Sequence, residues 1–374
     1  MRSLTIISHT EHYQQPDGQI VGLGSTVTEI NHLLAIFDTI THVAMLHDGS
    51  APPSALPYSS EKISFIALTA LGGTTWRSKI RLIFQAPKII GIVRRALRGS
   101  DYFQFRAPTG IGVFVIPYFI LCRSKKGWFK YAGNWKQEHG PLAYRFEKWL
   151  LAHQSRAVTI NGFWEDQPDQ CLSFENPCLT ELEIVAGQDW IQSRTLKYPI
   201  DICFVGRLEA AKGLDLLLEA LAELDADQLH KINQIHIVGD GTRMDWYQKQ
   251  AFDLNLPVVF HGYLSRDAVH GVYKKCAILV LPSASEGFPK VVAEALNFGC
   301  IPIVSNVSSM SHYIKNGVNG YLMDGLDVAS LTVSLQVVLN LKSADYEKLK
   351  STTLESIQRF SYSYYNQRLE QTIL

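Results

Sequence analysis

Short apolar runs alternate along the chain with longer segments whose apolar positions recur every three or four residues, the two periodicities of strands and of half-buried helices. In the first half, residues 4–8, 41–46, 62–68, 101–105 and 156–160 read as strands, and 26–37 and 76–97 as helices. The second half repeats the pattern more cleanly, with strands at 200–205, 235–238, 258–261, 277–281, 301–304 and 320–323. Helices fall between them at 214–224, 245–254, 265–275 and 290–298, and residues 346–374 are helical and partly amphipathic. Such alternation predicts an α/β fold with parallel sheets covered by helices on both faces. Two such series predict two Rossmann-like, doubly wound domains. Residues 186–198 have few apolar repeats and end in Tyr198-Pro199, so the junction is expected there. The expected domains are 1–195 and 196–355, with a terminal helix over 356–374.

Length and composition agree with that division. At 374 residues the chain exceeds one ordinary core, and 47% hydrophobic with 19% charged residues predicts compact globules rather than disorder. The six cysteines form no CxxC pair, which speaks against a disulfide framework or a zinc site and leaves a reducing cytoplasm as the expected compartment. The first apolar run is too short for a signal peptide, and the longest, 111–122, covers about half a bilayer. No transmembrane helix is expected.

A formal net charge of zero hides an asymmetry. Between Lys62 and Arg156 the chain has seventeen Lys or Arg against three acids, Asp101, Glu138 and Glu147. Trp76, Arg77, Lys79, Arg81, Lys88, Arg94, Arg95 and Arg98 fall on or near one helix, followed by Arg123, Lys125 and Lys126. Such a region suits an anionic surface, nucleic acid or an acidic substrate, or it is a set of solvated helix faces.

Candidate chemistry lies at strand-to-helix turns. In Phe204-Val205-Gly206-Arg207-Leu208-Glu209-Ala210-Ala211-Lys212-Gly213, Gly206 permits close backbone approach, and Arg207 and Lys212 are two cations able to hold a diphosphate from different directions. Val238-Gly239-Asp240-Gly241-Thr242 is a second turn after a strand, read alone as an αL-tolerant Asp-Gly turn. The third stretch, Leu281-Pro282-Ser283-Ala284-Ser285-Glu286-Gly287-Phe288-Pro289-Lys290, leads into a helix that contains Glu294. A carboxylate beside a glycine accepts from ligand hydroxyls while nearby amides donate. Glu294 stands eight residues on, about two turns along the same face, inside the apolar run 291–296. An acid there is costly unless paired or used.

The ordered set Gly-Arg-Leu-x3-Lys-Gly, Gly-Asp-Gly, Phe-x-Gly, Leu-Pro-Ser and Glu-x7-Glu resembles the donor domain of retaining GT-B glycosyltransferases of family four, the glycosyl transferases group 1. The resemblance is strong over about 200–331 and weaker before it. It implies a GT-B fold, two Rossmann-like domains facing a cleft, with the last helix, near Arg359-Phe360-Ser361-Tyr362, crossing back to the first domain. It implies that Arg207 and Lys212 contact the donor diphosphate. Glu286 with the backbone of Gly287, Phe288 and Pro289 would bind donor-sugar hydroxyls, Glu294 would hold the ribose, and Gly262 would lie beside the base. Gly206 and Gly241 join this donor set. Gly22 and Gly24, in Gly22-Leu23-Gly24-Ser25-Thr26, resemble the family's glycine-rich loop.

Two departures concern the acceptor side. Arg106 stands where many members carry a histidine, and a guanidinium cannot serve as a base. It binds an anionic acceptor or phosphate, or is a structural ion-pair partner. Ser308, Ser309, Ser311 and His312 replace the glycines, proline and glutamate of many relatives. Lys130-Tyr131-Ala132-Gly133-Asn134-Trp135, followed by Glu138-His139-Gly140, is expected to be a loop, either facing a sugar acceptor with Lys130, Asn134 and Trp135 or packed around Trp135.

The expected activity is transfer of a hexose-type sugar from a nucleoside diphosphate sugar, UDP- or GDP-linked, to a hydroxyl acceptor with retention. The setting expected is bacterial envelope, capsule or lipopolysaccharide synthesis, with an anionic membrane surface held through 62–156 and no nucleic-acid partner. No acidic pair is placed to hold a metal-bound diphosphate, so no cofactor and no metal are expected. A nicotinamide oxidoreductase is excluded by the lack of Gly-x-Gly-x-x-Gly after the first strand. A non-catalytic nucleotide-sugar binder is the alternative, and a GT-B epimerase or phosphorylase a lesser one.

Overall fold

The structure, a computed structural model, describes residues 1–71, 76–122, 124–137 and 140–374, apart from the side chains of 76–80 and 353–355. Arg123, Glu138 and His139, and the side chains of Trp76, Arg77 and Lys79, lie outside the described residues. The chain divides into two compact units, Met1–Asn176 with Tyr362–Leu374, and Pro177–Ser361.

In the first unit the described strands are β1 (Ser3–Gln14), β2 (Ile20–Leu23), β3 (Thr39–His47), β4 (Ala55–Pro57), β5 (Ile63–Thr69), β6 (Tyr102–Ala107), β7 (Lys126–Tyr131), β8 (Val158–Ile160) and β9 (Cys171–Ser173). Parallel pairing runs β5-β3-β1-β6-β7-β8-β9. The sheet is not purely parallel, because β1 continues past residue 8 to Gln14 and pairs antiparallel with β2, which pairs antiparallel with β4. The turn responsible is Gln15-Pro16-Asp17-Gly18, where Gly18 has φ +87° and donates to the Gln15 carbonyl.

The apolar stretch at 111–122 forms the helix Gly112–Leu121, and the cationic segment forms the helix Trp76–Ala96. Among the described residues no helix is long and apolar enough to cross a membrane. The terminal helix, Tyr362–Thr372, packs Tyr365 and Leu369 into a core with Leu4, Ile6, Ile30 and Leu33. Its Tyr362 ring stacks on His32 at 3.9 Å, and Asn366 Nδ2 donates to the His32 carbonyl.

The second unit has six described strands, all parallel: β10 (Ile200–Val205), β11 (Ile232–Val238), β12 (Val258–Gly262), β13 (Cys276–Leu281), β14 (Ile301–Ser305) and β15 (Tyr321–Met323). Their order is β12-β11-β10-β13-β14-β15. β10 and β13 are buried along most of their length, and one apolar core takes in both faces of the sheet.

The units divide at Asn176/Pro177, ahead of the junction expected at 195/196. Residues 181–193 form a helix started by a reciprocal cap, in which the Thr180 hydroxyl accepts from the Glu183 amide and the Glu183 carboxylate accepts from the Thr180 amide. This helix lies close to its neighbour at Gly187, where a Cβ would collide with Asn297. Ile184 and Ile191 supply its core contacts.

Candidate functional site

Chain order reverses between β10 and β13, whose neighbours run outward in opposite directions. A crevice outside the carboxyl ends of the strands is expected at such a switch point. Two loops border it, Gly206–Gly213 after β10 and 282–289 after β13. They meet by backbone: the Ala284 amide donates to the Ala211 carbonyl at 2.9 Å. Gly213 has φ +73° and faces the Pro282 carbonyl so closely that no Cβ fits. Gly241 lies against the Leu208 backbone in the same way, and Leu208 N donates to Asp240 O at 3.0 Å. The glycines of the first two motifs thus lock adjoining loops together. Gly262 ends β12 at φ +65° with no atom within 4 Å of a would-be Cβ.

The charged groups do not stand apart as their separate expected roles suggested. Lys212 Nζ donates to Glu286 Oε1 at 2.5 Å, with side chains 25% and 10% exposed. Arg207, by contrast, is largely solvent-exposed and pairs with Glu209 two residues on. Phe288 is buried, its ring against Tyr313 and Phe360, so Phe288 fixes the loop by packing. Pro289 precedes the helix Lys290–Asn297 as its N-cap. Gly287 is tied from the next loop, where the Ser309 hydroxyl donates to its carbonyl at 3.0 Å. Ser305 Oγ likewise donates to Ser283 O at 2.5 Å. Ser308, one of the serines in place of the relatives' glycines, holds φ +54°. His312 lies on the short helix Met310–Tyr313, and burial lowers its pKa.

Glu294 is buried in the apolar stretch, and its partner was not legible beforehand. Arg266 NH1 reaches Glu294 Oε1 at 2.8 Å, Arg266 Nε reaches Glu183 Oε1 at 2.5 Å, and Arg266 NH2 donates to the Cys178 carbonyl. Burial alone would raise the Glu183 pKa, but the Arg266 hydrogen bonds and the Thr180 amide bring it below the usual range. Arg266 opens a helix, where surface arginines are common, and no local pattern distinguishes it.

In the first unit, Gly22 and Gly24 are required by close approach: a Cβ on Gly22 would strike the His12 ring, and one on Gly24 the Ser54 carbonyl. Gly24 begins the helix Gly24–Leu33, which carries the buried Glu29. Glu29 Oε1 accepts from Arg106 NH2 at 3.0 Å and from Lys130 Nζ, while Arg106 Nε donates to Gln104 Oε1 at 2.8 Å. Arg106 is therefore an ion-pair partner inside this unit.

Lys130 and Tyr131 are the last residues of β7, not of a loop, and the loop begins at Ala132. The strand was missed because lysine and glycine interrupt its apolar alternation. Trp135 is buried edge-on to Tyr131 at 5.1 Å, with the Lys148 ammonium over its ring. Asn134 Oδ1 accepts from the Lys136 amide at 2.9 Å. Among the described residues, no group of three or more His, Cys, Asp or Glu is arranged to hold a metal ion.

The arrangement in the second unit places an ammonium and a carboxylate together on two interlocked loops at the mouth of a parallel sheet. Comparison with known proteins gives this geometry a context. Residues 188–354 match the family model described as glycosyl transferases group 1. The chain is 26% identical over 213 residues to glycogen synthase of Mycobacterium tuberculosis, covering 55% of this chain and 50% of that one. It is 28% identical over 208 residues to the lipopolysaccharide 1,6-galactosyltransferase of Escherichia coli K12, covering 53% and 54%. The chain thus spans about half the length of these relatives. In three dimensions it is similar to Anabaena Alr3699/HepE, solved in complex with UDP and glucose, with a TM-score of 0.71, 15% identity and coverage of 100% and 99%. The chain accordingly has the GT-B glycosyltransferase fold, and its second unit carries the glycosyl transferases group 1 match.

Proposed function

We propose that the protein transfers a hexose-type sugar from a nucleoside diphosphate sugar to a hydroxyl acceptor, with retention at the anomeric carbon. The observation that carries this reading is the Lys212–Glu286 pair at the β10/β13 switch point, on the two loops that follow those strands. In the proposed complex Lys212 and Arg207 hold the diphosphate, Glu286 and the Gly287–Pro289 backbone hold the sugar, and Glu294 holds the ribose. The bond between C1 and the β-phosphate oxygen breaks, and the bond from C1 to the acceptor oxygen forms on the same face. The acceptor proton passes to the departing phosphate oxygen, whose charge the two cations stabilise. Asn134 is assigned to the acceptor side, with Arg106 and Lys130 acting through the Glu29 cluster and Trp135 acting by packing the loop that carries Asn134. The reaction needs no metal.

Likeness to a lipopolysaccharide galactosyltransferase supports a role in envelope, capsule or lipopolysaccharide assembly. The cationic stretch 62–156 supports a peripheral place at the inner face of the membrane. The test is a thermal-shift screen against UDP-, GDP- and ADP-sugars followed by a transfer assay, since a ligand that binds only the native state raises its melting point. A shift with one donor and transfer to an added acceptor is the expected result. A shift without transfer or hydrolysis, with any acceptor, would favour the non-catalytic binder.

A further inference from the structure

The two strands that end at the crevice begin at another hollow. At the amino ends of β10 and β13 lies a separate cavity of about 330 Å³, whose wall includes Ile200 and Asp201 of β10 and Ala277 of β13. Four cations line it, Arg194, Lys197, Lys274 and Lys275, against one acid, Asp201. The acid is already committed, since its Oδ1 accepts from Asn233 Nδ2 at 2.8 Å and from the Gln234 amide at 3.2 Å. Arg194 is committed too, to the carbonyls of Tyr273 at 3.0 Å, Phe298 at 2.7 Å and Cys276. Among the described residues none of the three lysines has a carboxylate partner. The Lys274 ammonium stands over the ring of Trp190, which forms another wall, at 5.7 Å.

Two helices end here, 181–193 and 266–275, and their carboxyl-end dipoles are each equivalent to roughly half a negative charge. That accounts for Arg194 and for part of Lys274 and Lys275. It does not account for Lys197, which lies beyond either helix. A surplus of positive charge gathered around a concave surface costs self-repulsion unless an anion shares it. The hollow also offers a half-exposed indole face, on which a sugar ring packs.

We propose that this cavity binds a phosphorylated small molecule of hexose monophosphate size, its phosphate held by Lys197, Lys274 and Lys275 and its ring against Trp190. The site is distinct from the crevice, because it lies at the opposite ends of the same strands. A ligand there bears on β10 and β13 at their starts, and those strands lead to Gly206 and Glu286.

The test is titration of the full chain with glucose 6-phosphate, and separately with inorganic phosphate, followed by tryptophan fluorescence at constant ionic strength. The expected result is a saturable change that is absent in Trp190→Phe and at least about ten-fold weaker in the combined Lys197→Ser, Lys274→Ser, Lys275→Ser variant, which lacks the charged donors to the phosphate. The UDP-induced thermal shift should be unchanged in that variant, which separates this site from the donor crevice and shows that the variant folds. A response that chloride reproduces, or one that the triple variant retains in full, would overturn the proposal.

Discussion

Lys212 and Glu286 are 74 residues apart in the chain, yet Nζ and Oε1 meet at 2.5 Å where the loops after β10 and β13 touch. Each holds the other's charged end, so the cation proposed for phosphate and the carboxylate proposed for sugar are positioned as one unit. Lys212→Ala removes the ammonium and leaves a carboxylate that is only 10% exposed without it. Turnover should fall by roughly two to three orders of magnitude, the usual effect of deleting one transition-state donor. Stability should fall by about 1 kcal/mol, because the group is near enough to water for partial compensation. A transfer assay and a urea melt on the same preparation measure both, and near-normal turnover would remove Lys212 from the mechanism.

Arg266 lies between two carboxylates, Glu183 and Glu294, and also satisfies the Cys178 carbonyl. Arg266→Ala strands both acids at the join of three helices. The expected loss is about 2 kcal/mol, below the range for a fully buried pair because the arginine is 38% exposed. Adding Glu294→Gln to that variant should restore part of the loss in a double-mutant cycle. Glu294→Gln alone should fold and show a smaller UDP-induced thermal shift, as its assignment to the ribose requires.

Glu147 is fully buried beneath the start of the helix Gly112–Leu121, where its Oε2 accepts from the Thr109 amide at 2.9 Å and its Oε1 has no partner. Burial raises its pKa from 4.5 to about 8. The folded state therefore keeps a proton that the unfolded chain gives up above pH 4.5, and stability from this group is complete below that value and is lost as pH rises to about 8. The slope between those limits should approach about 1.4 kcal/mol per pH unit. Glu147→Gln, which stays neutral throughout, should flatten that part of the stability profile in denaturant melts across the range. A wild-type profile that is already flat would contradict the assignment.

How much of this was legible in the sequence follows from which interactions are local. The second-unit strands and the helix 290–297 were, because continuous apolar runs bounded by glycine and proline have one reading in a doubly wound sheet. So were the glycines of its loops, which are fixed by backbone geometry. Pairings such as Lys212 with Glu286, or Arg266 with Glu183 and Glu294, were not, because they join residues brought together only by strand order. The second half of β1 was missed because His12 and Tyr13 carry no apolar alternation. Their neighbours on β2 and β3 supply the contacts. Lys130 was placed in a loop for a similar reason: a lysine at a strand end reads as exposed until Glu29 is seen to meet it.

The same part of β1 holds a polar chain whose proton positions can be worked out. His12 Nδ1 lies 3.0 Å from the Thr10 carbonyl, which can only accept, so Nδ1 carries the hydrogen. Burial lowers the His12 pKa to about 4, leaving a neutral ring whose Nε2 accepts from the Tyr58 hydroxyl at 2.8 Å. Tyr58 oxygen then accepts from His42 Nδ1 at 2.6 Å, and His42 Nε2 accepts from Ser8 Oγ at 2.8 Å. Gly22 of the glycine loop rests on the His12 ring, so this chain supports that loop from below. Tyr58→Phe removes the central link and leaves two ring nitrogens unpartnered, which should cost about 2 kcal/mol. In wild type, nitrogen-15 NMR should find both imidazoles as neutral Nδ1–H tautomers at pH 7. Because both histidines are neutral when folded and ordinary when unfolded, stability should also fall as pH drops from 6.5 toward 4. A Tyr58→Phe variant as stable as wild type, with His12 and His42 titrating near 6.5, would show that the chain of hydrogen bonds does not form.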